Sequence, residues 1–430
     1  MNPVCALFHL FHASVPRVCL SSPKDPSLPK GEKMKRMVSA IVTLSFALAF
    51  LVLPAFAQET VKVGIILPVT GEKAKFGEIE KKSFEMALEE INAAGGINGK
   101  KLEFLLEDDT GRPDVARSAA EKLITKDKVV MLGGGYGSSE TFAIAGVAQQ
   151  SRIPFLVNTG SDDKITEKKW EYIFRLNPPV SEYPKGLESF LTEVVKPKTA
   201  VILYENTNFG SSGSKEFKAT CERLGIKVLM MEGYEHGGVD FKPLLIKVKQ
   251  ANPDLVYMIS YLMDASLLMR QSLELRVTPK LFVGGAAGFT LPEFQKNAGK
   301  ASDMVYSATL WYQTLPYPGA KKYFDDFKKK FGVDTEYHGA EAYAAAFVIA
   351  DALKRTKSMG PEDVRQALAA TDMMTVFGPV KFIAYDTMTN QNKLPTYLVQ
   401  WIDGKLELVW PKDVASKPYV YPIDWEKVWK

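Results

Sequence analysis

The amino-acid sequence predicts an α/β protein of two lobes, each a parallel sheet flanked by helices. Two series of short apolar runs alternating with helical stretches follow one another along the chain, and strand–helix alternation at this spacing implies parallel sheets covered on both faces. An Asn177-Pro178-Pro179 break separates the series. The third observation is size: 430 residues with 46% apolar and 24% charged content are enough for two or three full cores.

The first series opens with Val61 to Leu67, an apolar run suited to a buried strand. A helix over Glu78 to Ala94 follows, with Phe84, Leu88 and Ile91 on one face, closed by Gly95-Gly96. Leu102 to Leu106, Val129 to Leu132 and Ile153 to Val157 read as further strands. Helices from Asp114 to Leu123 and Ser139 to Gln150 lie between them. In the second series, strands at Ala200 to Tyr204, Lys227 to Met231, Leu255 to Ile259 and Leu281 to Val283 alternate with helices at Ser212 to Leu224, Pro243 to Gln250 and Ser266 to Leu275. Helix continues over Tyr323 to Leu353 and Pro361 to Ala370. Near the end, Pro395 to Ile402 and Leu406 to Trp410 flank Asp403-Gly404, the pattern of a β-hairpin with a tight turn. Trp410, Trp425 and Trp429 read as packing anchors.

Charge is unevenly placed. The chain has 54 Lys plus Arg against 50 Asp plus Glu, but residues 1–57 alone hold six basic and two acidic residues. The remainder carries 48 of each sign, which argues against a nucleic-acid partner. Met34-Lys35-Arg36-Met37, the uncharged run Val38 to Leu53 and the ending Ala55-Phe56-Ala57 form a secretory signal peptide over 34–57, cut after Ala57. The apolar run is short for a membrane anchor. Residues 1–33 read as a non-native upstream extension, and the expected location is the periplasm. After cleavage a single thiol, Cys221, and two histidines, His236 and His338, remain. No metal-ligand spacing and no nucleophile–base pattern is present, so no metal, cofactor or enzyme activity is expected. Gly133-Gly134-Gly135-Tyr136-Gly137 lacks the register of a phosphate loop.

Small polar clusters instead recur after successive strands. They are Thr70-Gly71 with Phe76-Gly77, Tyr136 to Ser139, Asn158 to Ser161, Asn208 to Gly210, Tyr261 with Asp264, and Gly284 to Gly288. Ligands of open parallel sheets sit beyond the carboxyl ends of the strands, so two facing rims would clamp a small solute. Ser138 and Ser139 stand at a helix start, a natural carboxylate seat, although Ser138 equally suits a helix cap. Thr159 and Ser161 equally suit a turn.

The leader, VKVGIILPVTGEKAKFGE (61–78), EEINAAGGINGKKLEFLLEDD (89–109), GSSET (137–141) and IPFLVNTGSD (153–162) resemble the type I periplasmic binding proteins, in particular the branched-chain amino-acid binding family of ABC importers. The resemblance implies two Rossmann-like lobes joined by three crossing strands, here 58–177 plus 310–377 and 178–309 plus 378–430. It implies a monomer that delivers a small carboxylate-bearing solute to an inner-membrane permease. By position, Ser138 and Ser161 would hold the carboxylate with the Thr159 backbone. Phe76, Phe209 and Tyr261 would cover the ligand, beside Tyr136 and Ser139. One departure stands out. Where the family places a Glu for the ligand amine, this chain has Gly285-Ala286-Ala287. Burying an ammonium without a counter-charge costs several kcal/mol. Either another acid substitutes, Asp264 before Glu205 or Asp162, or the ligand is a 2-oxo acid, an aromatic acid or an amide rather than an amino acid. A periplasmic ligand sensor is the other class of protein this pattern serves.

Overall fold

The structure, a computed structural model, describes residues 59–430; the leader and the upstream segment lie outside the described residues. Among the described residues sixteen strands form two seven-stranded sheets and one small hairpin. The first sheet has the order β13-β14-β5-β4-β3-β1-β2. Its strands are β1 (Thr60–Leu67), β2 (Lys101–Asp108), β3 (Met131–Gly134), β4 (Phe155–Val157), β5 (Ile173–Arg175), β13 (Ile383–Tyr385) and β14 (Met388–Gln391). The second has the order β16-β15-β10-β9-β8-β6-β7. It comprises β6 (Thr199–Glu205), β7 (Lys227–Tyr234), β8 (Leu255–Ile259), β9 (Leu281–Gly284), β10 (Tyr306–Thr309), β15 (Tyr397–Ile402) and β16 (Lys405–Trp410). β11 (Asp372–Thr375) and β12 (Gly378–Lys381) pair as the separate hairpin.

Each sheet repeats one plan. Five parallel strands run in the order 2-1-3-4-5, or 7-6-8-9-10, and two later strands complete the far edge. Central strands are apolar throughout because helices cover both faces: β8 is buried at every position, and β1 from Val63 to Leu67. The edge strands β2 and β7 are only half-buried.

The chain passes between the sheets three times: after β5, after β10, and between β14 and β15. This displaces the expected boundary at 378. β13 and β14 extend the first sheet, β14 pairing in parallel with β5 through Gln391 and Arg175. The last crossing therefore falls at residues 392–396. These strands are too short and too polar to show a period in the sequence.

Several helices start earlier than periodicity suggests. The first runs Ala74–Ala93 and the one after β6 runs Asn208–Leu224. At the latter, the Glu205 carboxylate accepts from the backbone N–H of Thr207 and of Gly210, at 2.6 Å each, and so fastens the first turn. The expected helix over Tyr323 to Leu353 is two helices, Ala320–Phe331 and Tyr337–Arg355, broken at Gly332 with φ +72°. The expected hairpin is present, with Asp403 and Gly404 both at positive φ (52° and 73°), the geometry of a two-residue turn. The glycine run after Leu132 serves packing. A Cβ on Gly134, at φ +96°, would stand 2.4 Å from the Ile66 carbonyl oxygen, so only glycine lets the chain turn here to deliver Tyr136. Trp425 and Trp429 are buried against Phe282. Among the described residues no helix is long and apolar enough to cross a membrane.

Candidate functional site

The carboxyl ends of the two sheets face each other, and the small polar clusters meet there. Tyr136, Ser138, Thr159 and Ser161 from the first rim and Phe209 and Tyr261 from the second line one small cavity. It encloses about 10 Å³, room for a single water. Ala287, from the Gly284 to Gly288 cluster, and three residues that sequence reasoning missed, Tyr183, Tyr337 and His338, complete it. Tyr183 follows the first crossing and Tyr337 opens a long Ala-rich helix, places that carry no strand-end signal. A larger open hollow of about 520 Å³ lies behind Glu336, between Thr290, Trp311 and Lys328, away from the hydroxyl cluster.

Helix Ser138–Ser151 points its N-terminus at the cavity, with Gly137 as the flanking residue. Ser138 does not cap it. Its Oγ accepts from the backbone N–H of Ser161 (3.2 Å) and Asp162 (3.1 Å), tying the loop after β4 to the helix start. The fully buried Arg175 braces that loop from below. Its guanidinium donates to the carbonyls of Gly160 (3.4 Å) and Asp162 (2.7 Å) and to Thr166 Oγ1 (2.8 Å). Hydroxyls, backbone N–H groups and a helix dipole thus converge on one point, which favours an anion.

Aromatic rings form the walls. Phe76 stacks on Tyr136 (centroids 4.7 Å, 18°) and so backs the cavity rather than lining it. Tyr261 reaches from the opposite rim to 6.0 Å from Tyr136 and 5.6 Å from Phe209. Burial pushes the phenols of Tyr136, Tyr261 and Tyr337 well above their ordinary value, so they are neutral walls.

Three carboxyl clusters surround the cavity. Behind Thr159 lie Glu80 and Glu341, both fully buried. Thr159 Oγ1 is 2.7 Å from Glu80 Oε1 and 2.9 Å from Glu341 Oε2, and it accepts from Asn158 Nδ2 at 2.8 Å. One hydroxyl has one proton to give, so at least one of the two carboxyls must itself be protonated and donate to Thr159. Burial pushes Glu80 up to about 8 and raises Glu341 well above the carboxylate range. The second cluster is the buried Lys73–Glu140 pair at 3.0 Å. Asp109 stands nearby, raised to about 7 by burial and further by Glu140. Lys73 Nζ also lies 4.7 Å over the Tyr261 ring of the facing rim. The third is Glu336, whose Oε1 is 2.7 Å from His338 Nδ1.

Asp264, expected as the counter-charge for an amine, is committed elsewhere. Its Oδ2 is 2.7 Å from His236 Nδ1, and its Oδ1 accepts from the Gly237 N–H at 3.1 Å. It does not line the cavity, and the same holds for Ser139 and Ala286. Ala286 is buried at φ +66°, and it is the next residue, Ala287, that faces the cavity. Ser139 instead joins the rims, its Oγ accepting from the Asn208 N–H at 3.3 Å. The Ala287 N–H donates to Tyr337 Oη (2.9 Å), Thr290 Oγ1 lies 3.2 Å from Glu336 Oε2 and 3.0 Å from the Ala287 carbonyl oxygen, and His236 Nε2 lies 3.0 Å from Glu72 Oε2. The lobes are therefore clasped shut. Among the described residues no group of His, Cys, Asp and Glu could hold a metal ion.

Two repeated α/β lobes with an anion seat and aromatic walls between them define a two-lobed binding protein. The chain belongs to the periplasmic binding protein family, whose model matches residues 60–405. A Leu/Ile/Val-binding protein homolog 7 from Brucella melitensis is 28% identical over 393 residues, covering 88% of this chain and 98% of its own. Among solved structures, the branched-chain amino acid transporter substrate-binding protein LivJ of Streptococcus pneumoniae, in complex with isoleucine, superposes with a TM-score of 0.74 at 24% identity. That match covers 81% of this chain and 98% of the other. An ABC transporter solute-binding protein of Rhodopseudomonas palustris in complex with 3,4-dihydroxybenzoic acid gives 0.73 at 22% identity, covering 84% and 98%. The fold is thus shared with proteins solved with an amino acid and with an aromatic acid.

Proposed function

We propose that this chain is the exported solute-binding subunit of an ABC importer, capturing a small carboxylate-bearing solute between its lobes and handing it to an inner-membrane permease. The leader is removed after Ala57, and the mature protein works in the periplasm as a monomer without transforming its ligand. The observation that carries this reading is the convergence of Ser138, Ser161 and the N-terminus of helix Ser138–Ser151 on the cavity. A cavity of about 10 Å³ admits no organic solute, so binding requires the lobes to part and close again.

An amino acid of the branched-chain type is the reading that the named relatives support. A non-amino acid, aromatic or 2-oxo, is the second. It is favoured by Ala286 in place of a counter-ion, by the engagement of Asp264 with His236, and by the walls of neutral phenols. A thermal-shift screen of amino acids, 2-oxo acids, aromatic acids and amides decides between them. A ligand at 100 times its dissociation constant stabilises the protein by about 2.7 kcal/mol. Ser138→Ala and Ser161→Ala should each weaken the best hit. Unchanged affinity in both would remove the carboxylate seat. Signalling without transport would appear as ligand binding that leaves uptake by the cognate permease unaffected.

A further inference from the structure

We infer that His338, held in place by Glu336, reads a hydrogen-bond donor on the ligand, so that the cleft takes a small carboxylate whose second polar group is a hydroxyl or a protonated amine. This rests on the reading of the cleft as a carboxylate site and names the chemistry at the other end of the solute.

His338 is the second residue of helix Tyr337–Arg355 and is buried, yet it lines the cavity. Its Nδ1 lies 2.7 Å from Glu336 Oε1, and its backbone N–H donates to the same oxygen at 3.3 Å. The other carboxylate oxygen of Glu336 lies 3.2 Å from the hydroxyl of Thr290, a residue of the facing rim that also reaches the Ala287 carbonyl at 3.0 Å. The ring is clamped flat against Tyr337 (centroids 3.8 Å, 29°), with Phe76 edge-on at 5.0 Å and Tyr136 at 5.4 Å. The imidazole can neither rotate nor flip without losing these contacts.

With Glu336 accepting at Nδ1, a neutral ring carries its proton there and leaves a lone pair on Nε2. Among the described residues Nε2 makes no hydrogen bond, and no other ring nitrogen lines the cavity. The remaining polar side chains there are hydroxyls, which either give or accept, and the backbone N–H groups only give. Nε2 is the one oriented acceptor, and it is backed by a negative charge that an ammonium also senses through the ring. Glu336 and His338 thus supply what Ala286 lacks, without placing a bare carboxylate against the ligand. Glu336 is a positioning residue in this scheme, and His338 is the contact.

Isothermal titration of the full mature protein with paired probes tests the inference. L-leucine against 4-methylpentanoate isolates the amine, and 4-hydroxybenzoate against benzoate isolates the hydroxyl. In at least one pair the wild type should prefer the donor-bearing member by about 10- to 100-fold, the cost of leaving a buried acceptor unpaired. His338→Phe keeps a flat ring in the stack and removes Nε2. It should bring that ratio to within about threefold of one while leaving the affinity for the donor-free member unchanged or tighter. His338→Gln returns an acceptor and should restore part of the preference, which a packing defect would not do. Equal binding of both members by the wild type, or a preference that survives His338→Phe, overturns the inference. Failure of all four probes and of every other carboxylate to bind overturns the carboxylate reading itself, a distinguishable result.

Discussion

Replacing Glu80 with Gln should flatten the dependence of stability on pH. In the native protein burial holds the Glu80 carboxyl up at about 8, against the opposing hydrogen bonds of Thr159 and Asn158, whereas in the unfolded chain it titrates near its ordinary 4.5. Between those values the folded state keeps a proton that the unfolded state has released. The contribution of Glu80 to stability is therefore fully present below pH 4.5 and declines as the pH rises to about 8. At about 1.4 kcal/mol per decade, the loss across this window is on the order of 5 kcal/mol. Glu341 moves in the same direction and shares the Thr159 hydroxyl, so the two titrate as a pair. Asp109, raised to about 7, adds to the same slope. Gln at position 80 mimics the protonated carboxyl, able to donate toward Thr159 but unable to ionise. Urea unfolding followed by tryptophan fluorescence from pH 5 to 8 measures the effect. The wild-type midpoint should fall steadily. Glu80→Gln should lose a large part of that slope and exceed the wild type at pH 8. Parallel pH profiles for the two proteins would refute the reasoning.

Lys73→Met should leave Glu140 buried without its partner and cost about 3–5 kcal/mol in urea unfolding; adding Glu140→Leu should recover most of the loss. Ser138→Ala removes the acceptor for the Ser161 and Asp162 N–H groups and should lower stability by about 1–3 kcal/mol while weakening the carboxylate ligand. Burial pulls the His236 pKa down, but the hydrogen bond and charge of Asp264 outweigh it, so the net shift is upward. Lys73 and Glu205 also act on the ring, with opposite signs. The cross-rim contact with Glu72 is therefore charged below the ordinary 6.5 and fades as the pH rises through the higher folded value. Because Glu72 is exposed, the contact is worth at most about 1 kcal/mol. Stopped-flow release of ligand should quicken with rising pH by up to about fivefold in the wild type and lose that dependence in Glu72→Gln.

The series of parallel strands could be read from the sequence because strands buried on both faces are continuously apolar. β8 spans Leu255–Ile259 in both the reading and the structure. β5 escaped notice: it has three residues and ends on Arg175, a charge that is buried only because carbonyls of the 160–162 loop and Gln391 surround it. β13 and β14 escaped for a related reason, since their polar residues find partners only once the chain has returned to the first sheet.

The cleft divides along the same line. Strand-end position alone singled out Ser138, Thr159, Ser161, Tyr136, Phe209 and Tyr261, because the carboxyl edge of a parallel sheet is where side chains and helix N-termini point outward together. Sequence could not say what those side chains would be partnered with. Asp264 had the right charge and the right rim, yet the His236 loop folds over it and consumes both oxygens. Glu336 and His338 carried no strand-end signal, standing two residues apart at the start of an Ala-rich helix nearly two hundred positions beyond the first rim. Local composition and periodicity are properties of neighbouring residues, and they determined the repeated α/β plan and the place of the cleft. Which polar atoms remain free to meet a ligand depends on contacts between distant segments, and only the packing of the two lobes decided that.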